Sequence, residues 1–453
     1  MRTVSGTYRN HLFLFILVMI AQHNYMCGLI LTNGKIFLKA HEFTTASIYD
    51  LLKTYPEIEY TKCHDAQLFE FKPFPISKFP ELQPHKGLLA ETFILNIPNG
   101  QAGTSKGYIK SHNKIISELI PQSFSLEHHL QLLLQYNFEH ITKIKGRVAI
   151  ITALYDSGYF HWIFNVLGRL ALLEMYNISY DWLYVAHDLQ FMQESLALWG
   201  IDPAKIITPF GNTKYIQADE LIVPSLIGAR IPQPHEYVLN WVPLDYLCTK
   251  WNLDPKSIYL YGNSTNKATD VYPDNISFDT CFLRWTPLLG CYLSPDIIHH
   301  IRNKLLASAK LSDYDFSKRV FISRKDAGLR GMINEDEIFA LFEPYGFKRY
   351  CLQDRPVIEQ IALFHGAEIV VAAHGASLTN LIFSQPNTTI IEIFQERSDC
   401  TFYYYSQLLK LNHHCIKTTE FKDIWGHSAT NVPAEIIQEF ITEHISIFEK
   451  KDE

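Results

Sequence analysis

The sequence predicts an α/β protein made of two Rossmann-like halves joined by a linker and preceded by an irregular N-terminal extension. Three observations lead to this. Apolar runs alternate with helical patterns from residue 147 onward. Those runs (RVAIITA, KRVFIS, EIVVAA, TIIEIF) are nearly continuous Val and Ile, as strands buried on both faces of a parallel sheet require. A stretch rich in Pro, Asn, Ser and Gly at 255–290 separates two such blocks. The 453 residues are 47% hydrophobic and 19% charged, which suits roughly three domains of about 150 residues and excludes a disordered or collagen-like chain. A formal net charge of −7 argues against a nucleic-acid partner, because binding the phosphate backbone calls for a basic surface.

In chain order, residues 1–25 form an N-terminal segment of uncertain role. It holds a ten-residue apolar core, Leu12–Ala21, behind Arg2 and Arg9. That is short of the ~20 residues a spanning helix needs. It resembles a signal peptide without a clean cleavage site, and Met26 offers an alternative start. Residues 26–135 read as a peripheral extension, since the Pro- and aromatic-rich Phe69–Pro84 cannot sustain a long helix. The first Rossmann-like half with its linker spans 136–305. Its strands are expected at Arg147–Ala153, Asp181–Val185, Lys205–Thr208 and Glu220–Val223, and its helices at Tyr159–Tyr176 and Gln190–Trp199. The second half, 306–432, places strands at Lys318–Ser323, Phe347–Leu352, Glu368–Ala373 and Thr389–Phe394. Helices are expected at Asn334–Tyr345, Pro356–Phe364, Ala376–Phe383 and Phe402–Leu411. The first of these helices opens at Asn334 with three acidic residues in its first turn, as capping and the helix dipole favour. Residues 433–453 carry a closing amphipathic helix, Pro433–Phe448.

The eight cysteines (Cys27, Cys63, Cys248, Cys281, Cys291, Cys351, Cys400, Cys415) include no C-x-x-C pair, so neither a structural zinc site nor a disulfide framework is expected. The adjacent pairs His128-His129, His299-His300 and His413-His414 point apart on a strand or helix and are assigned no metal. Four N-x-S/T triplets, at Asn177, Asn263, Asn275 and Asn387, do not establish secretion. The chain reads as cytoplasmic, with the secretory-pathway lumen as the alternative.

Ligands of open parallel sheets bind beyond the carboxyl ends of the strands, and three segments of the second half fall there. His374, Gly375, Ala376, Ser377, Leu378, Thr379 and Asn380 follow EIVVAA and open a helix; small residues and free N–H groups there suit phosphate. Arg324 and Lys325 leave the end of KRVFIS, with Arg330 shortly after, and supply cations for a diphosphate. Glu392 lies in an otherwise apolar strand and needs a partner, which paired ribose hydroxyls or a salt bridge would provide. In the first half, Asp156 and His161 follow RVAIITA. His161 suits a general base, and Asn165 and Arg169 extend its helix face.

Together YFHWIFNVLGRL, ISRKDAGLRGMINEDE and VVAAHGASLTNLIF…TTIIEIF resemble the glycosyltransferase family 61 domain over roughly residues 145–415. The resemblance implies a GT-B-like fold with two Rossmann-like domains facing a cleft. It also implies an inverting transfer of sugar from a nucleotide donor, generally UDP-linked, to a glycan or polysaccharide hydroxyl, with no obligatory metal or other cofactor. On this reading Arg324 and Lys325 face the diphosphate, the His374–Asn380 loop cradles it, and Glu392 binds the ribose. Two positions depart from the family pattern. Where H-W-x-x-D is common the acidic position is Asn165, and where L-P-R-L is common the chain has Leu167-Gly168-Arg169-Leu170. The base then falls to His161 or Asp156. The alternative is an inactive homologue that binds nucleotide sugar or glycan. A nicotinamide-dependent oxidoreductase is disfavoured for want of a G-x-G-x-x-G fingerprint. Docking to lipid-linked acceptors at a membrane is left open.

Overall fold

The computed structural model describes residues 29–32, 35–38, 44–46, 48–65, 67–70, 86–89, 91–103, 108–116, 119, 140–153, 155–227, 229–230, 258–260, 293–325, 331–395, 401–418 and 429–449. The N-terminal segment, most of the 255–290 linker, Arg330 and the His128-His129 pair lie outside the described residues. So do Cys27, Cys248, Cys281, Cys291 and Cys400, and the triplets at Asn263 and Asn275.

The second alternating block forms a five-stranded sheet with every neighbouring pair parallel. Across the sheet its strands are Lys348–Tyr350, Arg319–Ile322, Ile369–Ala373, Thr389–Phe394 and Asn412–Lys417. In chain order this is 2-1-3-4-5, so the winding reverses between Arg319–Ile322 and Ile369–Ala373. A crevice opens at such a reversal, because the connections on either side of it leave toward opposite faces. Ile369–Ala373 is buried at all five positions, as its Val/Ile/Ala composition requires of a central strand. Asn412–Lys417 is a strand that the sequence does not signal. Its residues, NHHCIK, lack an apolar run, and only pairing with Thr389–Phe394 reveals it.

In the first half, Ile206–Ile207, Trp182–Tyr184, Thr142–Ile150 and Tyr215–Pro224 are also mutually parallel, in the order 3-2-1-4. The reversal falls between Thr142–Ile150 and Tyr215–Pro224. The far edge of Tyr215–Pro224 pairs antiparallel with Thr92–Pro98 and Gln101–Gly103. This corrects the expectation of an irregular, peripheral extension. Residues 44–116 contribute six of the ten strands of this sheet. Thr92–Pro98 is almost wholly buried. Its length and alternation are masked in the sequence by short neighbours and turn residues.

Most expected elements appear with bounds shifted by a few residues. Gln190–Trp199, Ala376–Phe383 and Thr389–Phe394 coincide with the expectation, although Ala376–Phe383 winds as a tight 3₁₀ helix. Asn334 holds the N-cap position of its helix, as expected, but its side chain makes no capping hydrogen bond. Its amide instead donates to Val432 O (2.8 Å) and accepts from Val432 N (2.9 Å), tying the C-terminal segment to the helix start. The closing helix breaks at His444 into Ala434–Glu443 and Ile445–Phe448. Helix Pro295–Ser308 emerges where the linker was expected to end.

The two halves share one contiguous apolar core. It includes Ile163, Phe164 and Leu167 from the first half, Ile297 and Ile301 from Pro295–Ser308, and Ile322, Ala372, Leu378 and Tyr405 from the second. Phe164 stacks on Tyr405 with ring centroids 4.5 Å apart, and Phe160 meets Phe402 edge-on. Polar contacts fix the register of this seam. The Tyr159 hydroxyl donates to Asn380 Oδ1 (2.7 Å), and Val357 N, at the start of Val357–Gly366, donates to Glu194 Oε2 (2.7 Å). Gly168 leaves room for the Ile227 side chain, whose Cδ1 would stand 2.3 Å from a Cβ there. Phe164→Ala is expected to cost about 3–5 kcal/mol. Chemical denaturation should show this as one transition shifted as a whole, because the core it damages belongs to both halves.

Candidate functional site

At the reversal of the second sheet, Arg324 leaves one strand end and His374-Gly375 leaves its neighbour. A Cβ on Gly375 would lie 2.2 Å from Arg324 Nη1 and 2.9 Å from its Cζ. The guanidinium therefore lies directly against Gly375, and a side chain there would displace it; the backbone is extended and makes no demand for glycine by itself. Below this contact sits Glu335, 1% exposed. Its Oε2 accepts from Arg324 N (2.7 Å) and its Oε1 from Ser323 Oγ (2.5 Å). Ser323 Oγ accepts in turn from Lys325 N (3.2 Å). Glu335 thus shapes the turn that aims Arg324. In the sequence it reads as a helix-dipole residue; its position 11 residues after Arg324 is the available signal. Lys325, half exposed, pairs with Asp336 Oδ1 at 2.6 Å.

The His374–Asn380 segment is mostly buried. Ser377 Oγ and Thr379 Oγ1 have no hydrogen-bond partner among the described residues. Asn380 accepts from Tyr159 and donates to Gln360 Oε1 (2.9 Å), so this loop is anchored to both halves. His374 Nδ1 lies 2.6 Å from Glu392 Oε1, and His413 Nε2 lies 3.0 Å from Glu392 Oε2. Ser406 Oγ completes the row at 2.7 Å from His413 Nδ1. Glu392 is fully buried. Burial, the largest influence, pushes its carboxyl up, but the hydrogen bonds from the two imidazoles outweigh it and hold the group below the ordinary carboxylate range. Both oxygens of Glu392 are therefore occupied by histidines. Glu392, His413 and Cys415 offer ligand atoms within 4.8 Å of one another, a set that could hold a metal ion. The direct His413–Glu392 hydrogen bond occupies two of those three donors. His414 faces the other side of its strand, against Phe440 and His444, as expected of an adjacent pair.

In the first half, the helix bearing His161 begins at Gly158 and makes a wide π turn over Trp162–Val166, where Leu167 N donates to Trp162 O. Such turns recur at functional sites. His161 Nδ1 lies 2.9 Å from Asn165 Oδ1, while Asn165 Nδ2 is buried without a partner among the described residues. Arg169 turns inward and is 2% exposed. Its guanidinium donates to Thr152 O and Pro224 O, bridging the reversal between Thr142–Ile150 and Tyr215–Pro224. Burial lowers its pKa to about 9. Asp156, 8% exposed, has a carboxyl pushed up to about 7 by burial, and its Oδ2 has no partner among the described residues. The structure thus gathers Asp156, His161 and Asn165 at one strand end. It joins that segment to the His374–Asn380 loop through Tyr159, and it turns Arg169 to the scaffold.

The sequence profile of the glycosyltransferase 61 family matches residues 159–391. The match takes in just over half of the chain. The chain belongs to glycosyltransferase family 61. It is therefore a glycosyltransferase, acting on a sugar donor and a glycan acceptor. No curated protein matches the chain. The family match opens at Tyr159, on the seam, and runs through Arg324, Gly375 and Asn380, so it contains the whole second-half reversal. Asp156 lies just upstream of it, and Glu392 just beyond.

Asp156 makes a prediction about stability. A carboxyl raised from 3.8 to about 7 in the folded state binds more protons folded than unfolded between those values. Stability then falls as pH rises through that window and is not regained above it. Asp156→Asn should therefore stabilise the protein by on the order of 2–4 kcal/mol at pH 8, a gain that shrinks toward zero near pH 4. Chemical denaturation at the two pH values would read both.

Proposed function

We propose that the protein transfers a sugar from a UDP-linked donor to a glycan or polysaccharide hydroxyl, with inversion and without a metal, across a GT-B-type cleft between its Rossmann-like halves. The observation that carries this reading is the Arg324 guanidinium lying on Gly375 at the reversal of an all-parallel sheet. The site offers a cation and loop N–H groups to a diphosphate where such sheets bind ligands. The hydroxyls of Ser377 and Thr379 in the same loop, without partners among the described residues, add donors that a ligand can satisfy.

In the proposed reaction the acceptor oxygen attacks the anomeric carbon from the face opposite the diphosphate. The carbon–oxygen bond to the donor phosphate breaks, and its electron pair leaves on the diphosphate, where Arg324 stabilises it. Asp156 takes the acceptor proton. Its carboxyl near 7 and its unpartnered oxygen match what a general base needs at neutral pH. His161, steadied by Asn165, orients the acceptor beside it. Membrane-borne acceptors fit this scheme as well as soluble ones, and we take the cytoplasm as the place of action.

UDP at about 100 times its dissociation constant should add roughly 2.7 kcal/mol of stability, visible as a rise in Tm. The shift should survive EDTA and vanish in Arg324→Ala. Folded protein whose Tm no nucleotide or nucleotide sugar moves would refute the donor site. For the base, kcat/KM should climb through a limb near pH 7. Asp156→Asn should remove that limb and cost about 10²–10⁴-fold in kcat. Retention of the limb in Asp156→Asn and its loss in His161→Ala would transfer the role to His161.

A further inference from the structure

The row Ser406–His413–Glu392–His374 is absorbed neither by a ribose-binding role for Glu392 nor by the general base. Its hydrogen bonds have a direction. Glu392 is held in the ionised form, and an ionised carboxylate only accepts, so both imidazole nitrogens that touch it, Nδ1 of His374 and Nε2 of His413, carry hydrogen. A carboxylate without access to water also needs positive charge beside it. Of its two partners, His374 stands at the ligand end of the row. It is the residue before Gly375, whose backbone carries the Arg324 guanidinium. The His374 ring is steadied by Phe394, stacked at 5.2 Å, and by Phe402 at 5.5 Å. Phe402 also packs on Phe160 of the first half. With Nδ1 committed to Glu392, Nε2 is the nitrogen on the opposite edge of the ring.

We propose that His374 is a catalytic residue that donates Nε2–H to the leaving diphosphate as an imidazolium, and that Glu392 is the positioning residue that keeps it in this form. This deepens the transferase reading and rests on it. No proton is consumed: the acceptor's proton goes to the general base, the bond from the anomeric carbon to the diphosphate breaks, and the departing electron pair comes to lie beside the Nε2–H donor. His413 and Ser406 hold the second oxygen of Glu392, so the carboxylate cannot rotate away from His374. Among the described residues, the titratable groups facing the row are Glu392 from its own strand and His413 and Cys415 from Asn412–Lys417. From the Arg319–Ile322 side comes Arg324, which opposes a second cation. The direct carboxylate contact at 2.6 Å offsets that opposition.

Two measurements on the full chain test this. The first reads the ring nitrogens of His374 by ¹H–¹⁵N NMR with ¹⁵N-labelled histidine at pH 7, the signal being assigned by its loss in His374→Gln. Both nitrogens should be protonated in the wild type, and Glu392→Gln should leave only one protonated. A singly protonated ring in the wild type overturns the proposal, and this readout does not depend on which donor the enzyme uses.

The second is a double-mutant cycle on donor kinetics. His374→Gln and Glu392→Gln should each lower kcat about 100-fold with KM for the UDP-sugar changed less than threefold. The double variant should fall no further than His374→Gln alone. A ribose-binding Glu392 gives a raised donor KM and losses that multiply, and that result overturns the proposal. If Glu392→Gln does not fold, Ser406→Ala loosens the row from its far end; a kcat lowered about threefold supports the relay, and an unchanged kcat counts against it. A wild type inert toward every UDP-sugar would fail the donor reading, while the NMR arm still decides the relay.

Discussion

The site depends on a water-free seam between the two halves. Phe160 and Phe164 reach from the helix of one half to Phe402 and Tyr405 of the other, and the Tyr159 hydroxyl closes the seam on Asn380. Each of these side chains belongs to, or directly follows, a segment that also bears a site residue. Because protein interiors are close-packed and yield little, the strand end that carries Asp156 and the loop that carries His374 are held in one register. Burial of the seam also excludes water from its margins. That exclusion raises the Asp156 carboxyl, whereas Glu392 is held ionised against it by its two imidazole partners.

Three carboxylates show how environment assigns work to one chemical group. Asp156 is buried with one oxygen unpartnered, so burial prevails and its pKa rises to about 7. Glu392 is buried more completely, yet two imidazole donors hold it ionised. Glu335 accepts from Ser323 Oγ and Arg324 N and serves the shape of a turn. The first is suited to take a proton, the second to organise a cation, and the third to aim a guanidinium. Arginine shows the same division. Arg169 spends its donors on strand-end carbonyls of the first half, while Arg324 rests on Gly375 at the reversal of the second.

Much of the second half is legible along the chain. Near-continuous Val and Ile runs such as EIVVAA and TIIEIF have few ways to be buried other than as central parallel strands, and the small residues after EIVVAA point to a loop approached closely by something else. The N-terminal extension resists such reading for the opposite reason. Glu59–His64 is largely polar and forms only because Thr92–Pro98 offers it a sheet to join, and Lys114–Ile116 is three residues long and is held by Tyr108–Ser111, which in turn pairs with Gln101–Gly103. The same holds for Asn412–Lys417, whose histidines hide a strand.

The sequence by itself determined the class of fold, the family, and which polar residues would stand at strand ends, because those properties follow from local periodicity and from motifs read along the chain. Only the tertiary structure decided what each residue faces. Glu392 and His413 are 21 positions apart, and no local pattern says that this carboxylate will meet two imidazoles. Nor could spacing show that Gly375 makes room for Arg324, a residue from another strand. Partners, burial and hence ionisation arise from contacts between distant segments. Such contacts exist only once the sheet order and the seam have brought those segments together.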